Sequence, residues 1–213
     1  KLSGISKFQK FALLTLKKMA KGGIFDQIGG GFHRYSTDAR WLVPHFEKML
    51  YDNIQYVNLL TKFYQKTKKK YFKIKLVQTI KFINKEFKNK ENLYGSAYDA
   101  DSEGVEGKYY VWSYQELKDL LKDHFALFEK KYEISNTGNF EGKNILVESK
   151  QELTEEENNK IFEIEKKLIQ ERQKRTKPFF DDKSQTDLNS FLLDTLINAS
   201  VVLEDDNLKK DTL

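Results

Sequence analysis

The sequence predicts an all-α fold built of α/α helical hairpins, and three observations carry that prediction. Apolar residues recur at three- and four-residue steps along most of the chain, which is the period of a helix face. Only two prolines occur in 213 residues, which argues against a loop-rich β fold. Aromatic residues make up 14% of the chain and the formal net charge is only +5, so the chain can build a core and is not disordered.

Six segments show helical periodicity, and a seventh fits either a short helix or a turn. In chain order the six are Ile5–Met19, Phe46–Leu60, Leu76–Phe87, a short segment after Ser113, a segment after Thr154 and Leu188–Leu203, and the seventh is Phe125–Tyr132.

The boundaries of several helices are marked by their own signals. Gly22-Gly23 follows the first apolar face and predicts its end. Ser113 with Glu116, and Thr154 with Glu157, have the three-residue spacing of a capping box and predict two helix starts.

The connections between these helices are of two kinds. Lys66–Lys70 is a short lysine-rich turn, whereas Gly22–Pro44, Glu91–Trp112 and Glu133–Ser149 are long. Connections longer than about 12–15 residues are uncommon in compact domains unless they are functional. We therefore predict one domain, residues 1–213, made of stacked helical hairpins whose long loops gather at one end.

Composition excludes several classes of function. Lysine and arginine total 37 against 32 acidic residues, but arginine, which nucleic-acid readers favour, occurs only four times, so we predict no nucleic-acid partner. No apolar run approaches the ~18 residues of a membrane span. The chain has no cysteine, hence no disulfide or thiolate site. We predict a cytoplasmic protein with no metal, no cofactor and no membrane partner.

The segment Phe25–Asn53 is the richest in chemistry. It holds two of three histidines, two of four arginines and three consecutive glycines that allow a close approach of a ligand. Flat aromatic faces beside directional polar groups suit a polyhydroxylated or otherwise polar small molecule. The predicted binding residues here are His33, Arg34, Tyr35, Trp41, His45, Glu47 and Asp52. The alternative is that His33 and Arg34 brace a long loop through its backbone and through Asp26 or Asp38.

An acidic loop, Asp99–Gly104, begins like a calcium-binding loop. Its twelfth position is Tyr110, where calcium needs a bidentate glutamate, so we predict no calcium site. Carboxylates held close together raise one another's pKa and serve as general acid and base, which makes Asp99 and Asp101 the catalytic candidates. The alternative is a solvent-facing acidic turn.

Two smaller polar patches complete the candidate set. Asn139, Glu141 and Lys143 lie in a compact glycine-bearing segment that is either part of the same pocket or a plain turn. Asp182 and Lys183 precede the last periodic helix, where carboxylates also favour a helix N-terminus.

Taken together these segments resemble the family of thioredoxin-domain-containing proteins that includes spermatogenesis-associated protein 20. The resemblance rests on motifs that occur in the family's order along nearly the whole chain. They are Phe25–Asn53, Ser96–Gly104, Glu106–Trp112, Gly138–Asn144 and Asp181–Lys183. The resemblance implies a larger protein with an amino-terminal thioredoxin-like domain and an α/α toroid, similar to those of six-hairpin glycosidases and N-acylglucosamine 2-epimerases. In such toroids the loops at one end form a sugar-binding funnel.

The chain also departs from that family pattern. Six helices are about half of a twelve-helix toroid, so we expect a partial toroid that is either a truncated piece of a longer protein or self-associates through its open edge. The absence of cysteine agrees with a missing thioredoxin-like domain, which we expect as a partner within a full-length protein. The stretch Ser184–Asn189 lacks the tryptophan that the family typically has before its asparagine.

Two functions follow from this reading of the sequence. The first is a six-hairpin glycosidase-like domain that binds or processes a carbohydrate or a similar polar small molecule. The second is a non-catalytic scaffold or binding module of a thioredoxin-domain protein.

Overall fold

The computed structural model describes residues 6–212, and most of its regular structure is α-helical. The helices are α1 (Ser6–Lys21), α2 (Leu50–Thr67), α3 (Lys70–Phe82), α4 (Tyr114–Leu121), α5 (Phe125–Lys131), α6 (Glu155–Arg172), α7 (Thr186–Leu203) and α8 (Asp206–Thr212). The strands, each of two residues, are β1 (Tyr35–Ser36), β2 (Pro44–His45), β3 (Lys48–Met49), β4 (Ala97–Tyr98), β5 (Asp101–Ser102), β6 (Val105–Glu106) and β7 (Phe180–Asp181). The predicted all-α class is confirmed, with short strands added inside the long connections.

The six predicted helices are present, and both predicted capping boxes form at the starts of α4 and α6. The segment left open between helix and turn is α5. Phe46, expected on the second helix, lies four residues before α2, and Ile5 lies outside the described residues. The helix α8 was missed because seven residues with one buried apolar side chain, Leu208, show no periodicity. The sequence signal for the start of this helix is Asp205, whose carboxylate accepts a hydrogen bond from the backbone N–H of Leu208 at 3.0 Å.

The described chain forms two compact units, each assembled from separate stretches of sequence. Unit 1 comprises residues 6–28, 35–46 and 101–178, and unit 2 comprises residues 29–34, 47–100 and 179–212. The single domain and the half toroid stay predictions.

In unit 1, apolar side chains of α4, α5 and α6 share one core. Trp112, Leu117, Phe128 and Leu168 are each fully buried in it. These three helices are stabilised mainly by the burial of their apolar faces in this core, since such burial contributes more than helix propensity.

In unit 2, α2 contacts both α3 and α7, and α7 contacts α8. The short turn Lys68-Lys69 joins α2 to α3 as a helical hairpin, as the lysine-rich connection predicted. A three-stranded antiparallel sheet in the order β3-β4-β7 lies in the connections, with Lys48 opposite Tyr98 and Ala97 opposite Asp181. Because β3 runs directly into α2, this sheet fixes where the start of α2 lies.

The long connections are held by a recurring device that we name the asparagine clamp. In each clamp an asparagine amide accepts from the backbone N–H of one residue and donates to the backbone C=O of that same residue. Four clamps occur among residues 6–212: Asn53 on Phe32, Asn189 on Tyr94, Asn139 on Ile145 and Asn144 on Ser135, with all distances between 2.8 and 3.0 Å. An amide can do this because it presents a donor and an acceptor side by side, as a strand does.

Removing a clamp should be costly. Asn53 is fully buried and its amide also donates to the carbonyl of Met49 at 2.9 Å. Asn53→Ala removes the two hydrogen bonds that this amide makes with the buried backbone of Phe32, so we expect a loss of about 2 to 4 kcal/mol in the free energy of unfolding, measured with urea. Asn198→Ala removes an exposed amide that bonds only to Asp194 and should change stability by less than about 0.5 kcal/mol. Equal losses in the two variants would contradict the clamp.

Unit 1 contains a buried ion pair that the sequence analysis did not predict. Arg172, the last residue of α6, donates to Asp26 at 2.9 Å, and both side chains are more than nine-tenths buried. The guanidinium also lies over the rings of Tyr109 and Tyr110, at 5.3 and 5.6 Å. Burial alone would lower the pKa of Arg172, but the charge and hydrogen bond of Asp26 hold it above the usual value.

Breaking this pair from one side should destabilise unit 1 strongly. Arg172→Met removes the cation that is paired with the buried Asp26 carboxylate, and we expect a loss of about 3 to 5 kcal/mol in the free energy of unfolding, measured by chemical unfolding at neutral pH. The deficit should shrink in acid, because the Asp26 carboxyl can then take up a proton. The control Lys166→Met breaks an exposed pair with Glu163 and should cost less than about 1 kcal/mol. A deficit for Arg172→Met that is independent of pH would contradict this account.

Candidate functional site

The glycine triplet Gly29–Gly31 packs closely against α3 of the same protein. Gly31 has a φ of +78°, and a Cβ at this position would lie 2.2 Å from the ring of Phe82 on α3. The carbonyl of Gly30 accepts from the buried ammonium of Lys48 at 2.9 Å, and that ammonium lies over the ring of Phe82. The close approach expected for a ligand is therefore made to α3.

Gly22 has a similar role at the end of α1. A Cβ there would lie 2.3 Å from the carbonyl oxygen of Trp41, so only glycine lets the two backbones meet. Trp41 itself has a φ of +64°, which is uncommon for a bulky residue, and its side chain is partly exposed. The glycine pair that ends the first helix thus also positions a predicted binding residue.

Four polar residues of unit 2 come together at the start of α2, and we name them the Arg34 cluster: Arg34, Glu47, Tyr51 and Asp52. The guanidinium of Arg34 donates to the carboxylate of Glu47 at 2.8 Å and to the hydroxyl of Tyr51 at 3.1 Å. The backbone N–H of Arg34 donates to the carbonyl of Glu47 at 2.8 Å. Three of the four are predicted binding residues.

Asp52 is the most perturbed carboxyl of the cluster. Its Oδ2 is buried and makes no hydrogen bond within residues 6–212. Burial is the main cause that raises its pKa, from the ordinary 3.8 to about 6; Arg34 lowers it and Glu47 raises it. Tyr56, one helical turn on, stacks on Phe32 at 3.7 Å, and burial and the Asp52 charge both raise its pKa. A carboxyl with this pKa changes protonation near neutral pH.

A second group forms in unit 1 where β1 pairs with β2. Tyr35 stacks on His45 at 5.0 Å, and the Nδ1 of His45 lies 2.8 Å from the carboxylate of Glu106. Tyr35 is 49% exposed, so its ring offers a face to solvent. Sequence reasoning named Tyr35 and His45 but missed Glu106, which is 61 residues away from His45 along the chain.

The two catalytic candidates fall in different units. Asp99 belongs to unit 2 and Asp101 to unit 1, and both side chains are exposed. Asp99 accepts the backbone N–H of Ala100 at 2.6 Å, and Asp101 lies in β5 opposite Glu106. The acid/base role of these two carboxylates stays a prediction.

The remaining candidates have varied surroundings. His33 is 2% exposed, so its side chain is buried and has no free face for a ligand. Asn139 uses its amide to clamp Ile145, while Glu141 and Lys143 are exposed. Arg34 is braced by Glu47 and Tyr51 rather than by the acids that the loop-bracing alternative named.

The Asp181–Lys183 motif has mixed exposure. Asp182 is exposed, and the ammonium of Lys183 lies 3.6 Å from the carboxylate of Asp181. Asn189, the asparagine that lacks the family's preceding tryptophan, clamps Tyr94. The motif itself is held by Ser96, whose backbone N–H donates to the carbonyl of Asp181 at 2.8 Å and whose hydroxyl donates to the carbonyl of Lys183 at 2.6 Å.

Within residues 6–212 no group of three or more histidine or acidic side chains lies close enough together to hold a metal ion. None of the helices in the same range is long and apolar enough to cross a membrane.

Comparison with known proteins gives clear relatives at the level of sequence. Human spermatogenesis-associated protein 20 is 32% identical over 238 aligned residues, which cover 95% of this chain and 30% of that protein. The mouse protein of the same name is 37% identical over 150 residues, covering 63% of this chain and 19% of that protein. No family model matches.

Among solved structures, a D-mannose isomerase matches 99% of this chain and 50% of its own, with 12% identity and a TM-score of 0.37. A TM-score of that size establishes neither a shared fold nor a shared activity.

The described chain is thus an all-α helical-hairpin protein with a polar cluster at the start of α2. It is homologous to spermatogenesis-associated protein 20 and belongs with that family, and it spans about 30% of the length of the human relative.

The titration of Asp52 can be measured directly. We expect its carboxyl carbon to titrate at about pH 6 in a 13C NMR experiment. Arg34→Gln should raise that midpoint because it removes a nearby positive charge, and Glu47→Gln should lower it because it removes a negative one. A wild-type midpoint near 4 would contradict the assigned environment.

The same titration should appear in stability. The folded protein holds this proton more tightly than the unfolded chain, so the stabilisation is complete below about pH 4 and is lost as pH rises through about 6. Discounted for partial exposure, the effect is about 1 to 2 kcal/mol. The amide of Asp52→Asn has no proton to lose in this range. The free energy of unfolding of this variant should therefore decline less steeply with pH than that of the wild type.

Proposed function

We propose that this chain binds a carbohydrate or a similarly polar small molecule at the Arg34 cluster, with Asp52 as the protonatable carboxyl of the site. The observation that supports this is the Asp52 carboxyl itself. It has a buried oxygen without a hydrogen-bond partner in residues 6–212 and a pKa of about 6. A buried oxygen without a hydrogen bond requires an explanation, and for a carboxyl with a raised pKa a bound ligand is the explanation that we propose.

The cluster offers the chemistry that a sugar requires. The Asp52 side chain is partly exposed, and if it rotated to bring Oδ2 to the surface, a ligand hydroxyl would supply the missing hydrogen bond, while Arg34, Glu47 and Tyr51 provide donors and acceptors around it. The side chains of Arg34 and Glu47 are 42% and 22% exposed, so solvent reaches the cluster.

Any acid/base chemistry at this site would use Asp52 in preference to Asp99 and Asp101. A general acid or base works best when its pKa lies near the working pH, because both protonation states are then populated. Asp52 meets that condition, and Glu47 is a second carboxylate within the same cluster.

Other parts of the proposal come from the family resemblance. Within unit 1, and separately from the Arg34 cluster, we propose that Tyr35, stacked on His45, presents its exposed ring to a ligand of the same polar class. A thioredoxin-like domain in a longer protein, self-association through an open toroid edge and a cytoplasmic location also stay proposals, since the chain spans only part of its relatives.

The test is calorimetry of the full 213-residue chain against a panel of monosaccharides at neutral pH. We expect saturable binding of at least one sugar. Asp52→Asn should weaken that binding about tenfold or more, because a hydrogen bond to a charged group is lost.

The matched control is Asp187→Asn, an exposed carboxylate of α7 outside the Arg34 cluster, which should leave affinity unchanged. If no sugar on the panel binds, the scaffold function is favoured instead. If a sugar binds and Asp52→Asn and Arg34→Gln bind it as tightly as the wild type, the ligand site lies elsewhere.

A further inference from the structure

A polar cleft of about 370 Å³ opens in unit 1, and none of the residues of the Arg34 cluster contributes to it. Its lining side chains come from the β5–β6 hairpin and the segment after it, from α4, from the connection between α5 and α6, and from the chain that follows α6. The residues are Ser102, Glu103, Lys108, Tyr109, Val111, Glu116, Lys143, Lys174, Arg175 and Thr176. We infer that this cleft binds a small dianionic ligand of the phosphate monoester class.

The charge of the lining supports an anion. Four cations, Lys108, Lys143, Lys174 and Arg175, face two carboxylates, Glu103 and Glu116, so the lining carries a net charge of +2. Positive charge concentrated in a cleft attracts anions more strongly than the same charge spread over an open surface. A phosphate monoester near pH 7 carries a charge of about −2 and so matches the lining.

Arg175 is the rigid part of the cleft. Its guanidinium donates to the carbonyls of Tyr109 and Val111 at 2.9 and 2.8 Å, and to Glu116 at 2.7 Å. It lies 4.0 Å above the ring of the fully buried Trp112. Three of its five N–H groups are thereby used, which leaves two without a partner in residues 6–212. A guanidinium held in this way loses little entropy when it donates to oxygens of a phosphate group.

The lysines are the adaptable part. Lys108 pairs with Glu103 at 2.9 Å and Lys174 with Glu171 at 2.8 Å, and these ion pairs are at least partly exposed. Exposed pairs are worth about 0 to 1 kcal/mol, so a dianion can replace the carboxylates. Lys143 makes no side-chain ion pair with any residue in 6–212 and is exposed, so its charge is available to a ligand.

The walls of the cleft are tied together. The hydroxyl of Ser102 in β5 donates to the carbonyl of Thr176 at 2.6 Å, which joins the hairpin to the chain after α6. The volume lies at the lower end of the range for small-molecule sites, about 300 to 1,000 Å³. It therefore suits a phosphate group with a small organic portion rather than a nucleotide-sized ligand.

This site and the proposed function can fail separately, because they share no residue. The cleft lies within unit 1, whereas the Arg34 cluster belongs to unit 2. Binding of an uncharged sugar tests the cluster, and binding of phosphate tests the cleft.

The experiment is an amide NMR titration of the full 213-residue chain at low ionic strength, first with inorganic phosphate and then with glucose 6-phosphate. We expect saturable shifts at the amides of Lys108, Lys143 and Thr176. Lys108→Gln and Lys143→Gln should each weaken phosphate binding about two- to fivefold, because each removes one positive charge from the lining.

The control is Lys160→Gln, a lysine on α6 that is not among the cleft residues and pairs with Glu156. Unchanged binding in this control beside weaker binding in the two cleft variants supports the inference. Shifts that do not saturate, or an equal loss in the control, would overturn it by showing that phosphate responds only to overall charge. Binding of phosphate without binding of glucose 6-phosphate would overturn the monoester class.

Discussion

The long connections between the helices depend on one requirement: their buried backbone groups need hydrogen-bond partners. A segment without regular structure has none of its own, and an unpaired buried N–H or C=O is costly. The asparagine clamps meet this requirement at Phe32, Tyr94, Ser135 and Ile145. Asp38 has the same role, since its carboxylate accepts hydrogen bonds from the backbone N–H groups of Arg40, Leu42 and Val43. Loops held in this way can present side chains at defined positions.

This requirement changes the meaning of the polar motifs. Asparagine, aspartate and glycine in a long loop suggest a ligand site, because the same residue types build binding pockets. In this chain much of that polarity faces the protein's own backbone, and the glycines allow close contact with Trp41 and Phe82. Asp52 differs, since one of its oxygens is buried without a hydrogen bond in the described chain. Asp52 is therefore set apart from the other polar residues of these loops by its unsatisfied oxygen and not by its residue type.

The two units differ in how their charged side chains are paired. In unit 1 the buried Asp26–Arg172 pair joins two opposite charges at 2.9 Å. It therefore stabilises the fold and is not available to react. In unit 2 the Arg34 cluster holds two carboxylates and one guanidinium, and burial raises the pKa of one carboxyl. A buried pair of opposite charges stabilises the fold, whereas a carboxyl whose pKa is raised by burial can gain and lose a proton near neutral pH.

The sequence by itself determined the fold class, the six periodic helices, two capping boxes and the family, because each of these depends on residues close together in the chain or on motifs in a fixed order. It also named Arg34, Glu47 and Asp52, although not as one cluster. Tertiary structure alone decided the pairings of Asp26 with Arg172 and of His45 with Glu106, which are 146 and 61 residues apart. It also decided which carboxyl has a raised pKa. The physical reason is that burial and charge proximity are properties of folded space, and no local pattern in the chain encodes them.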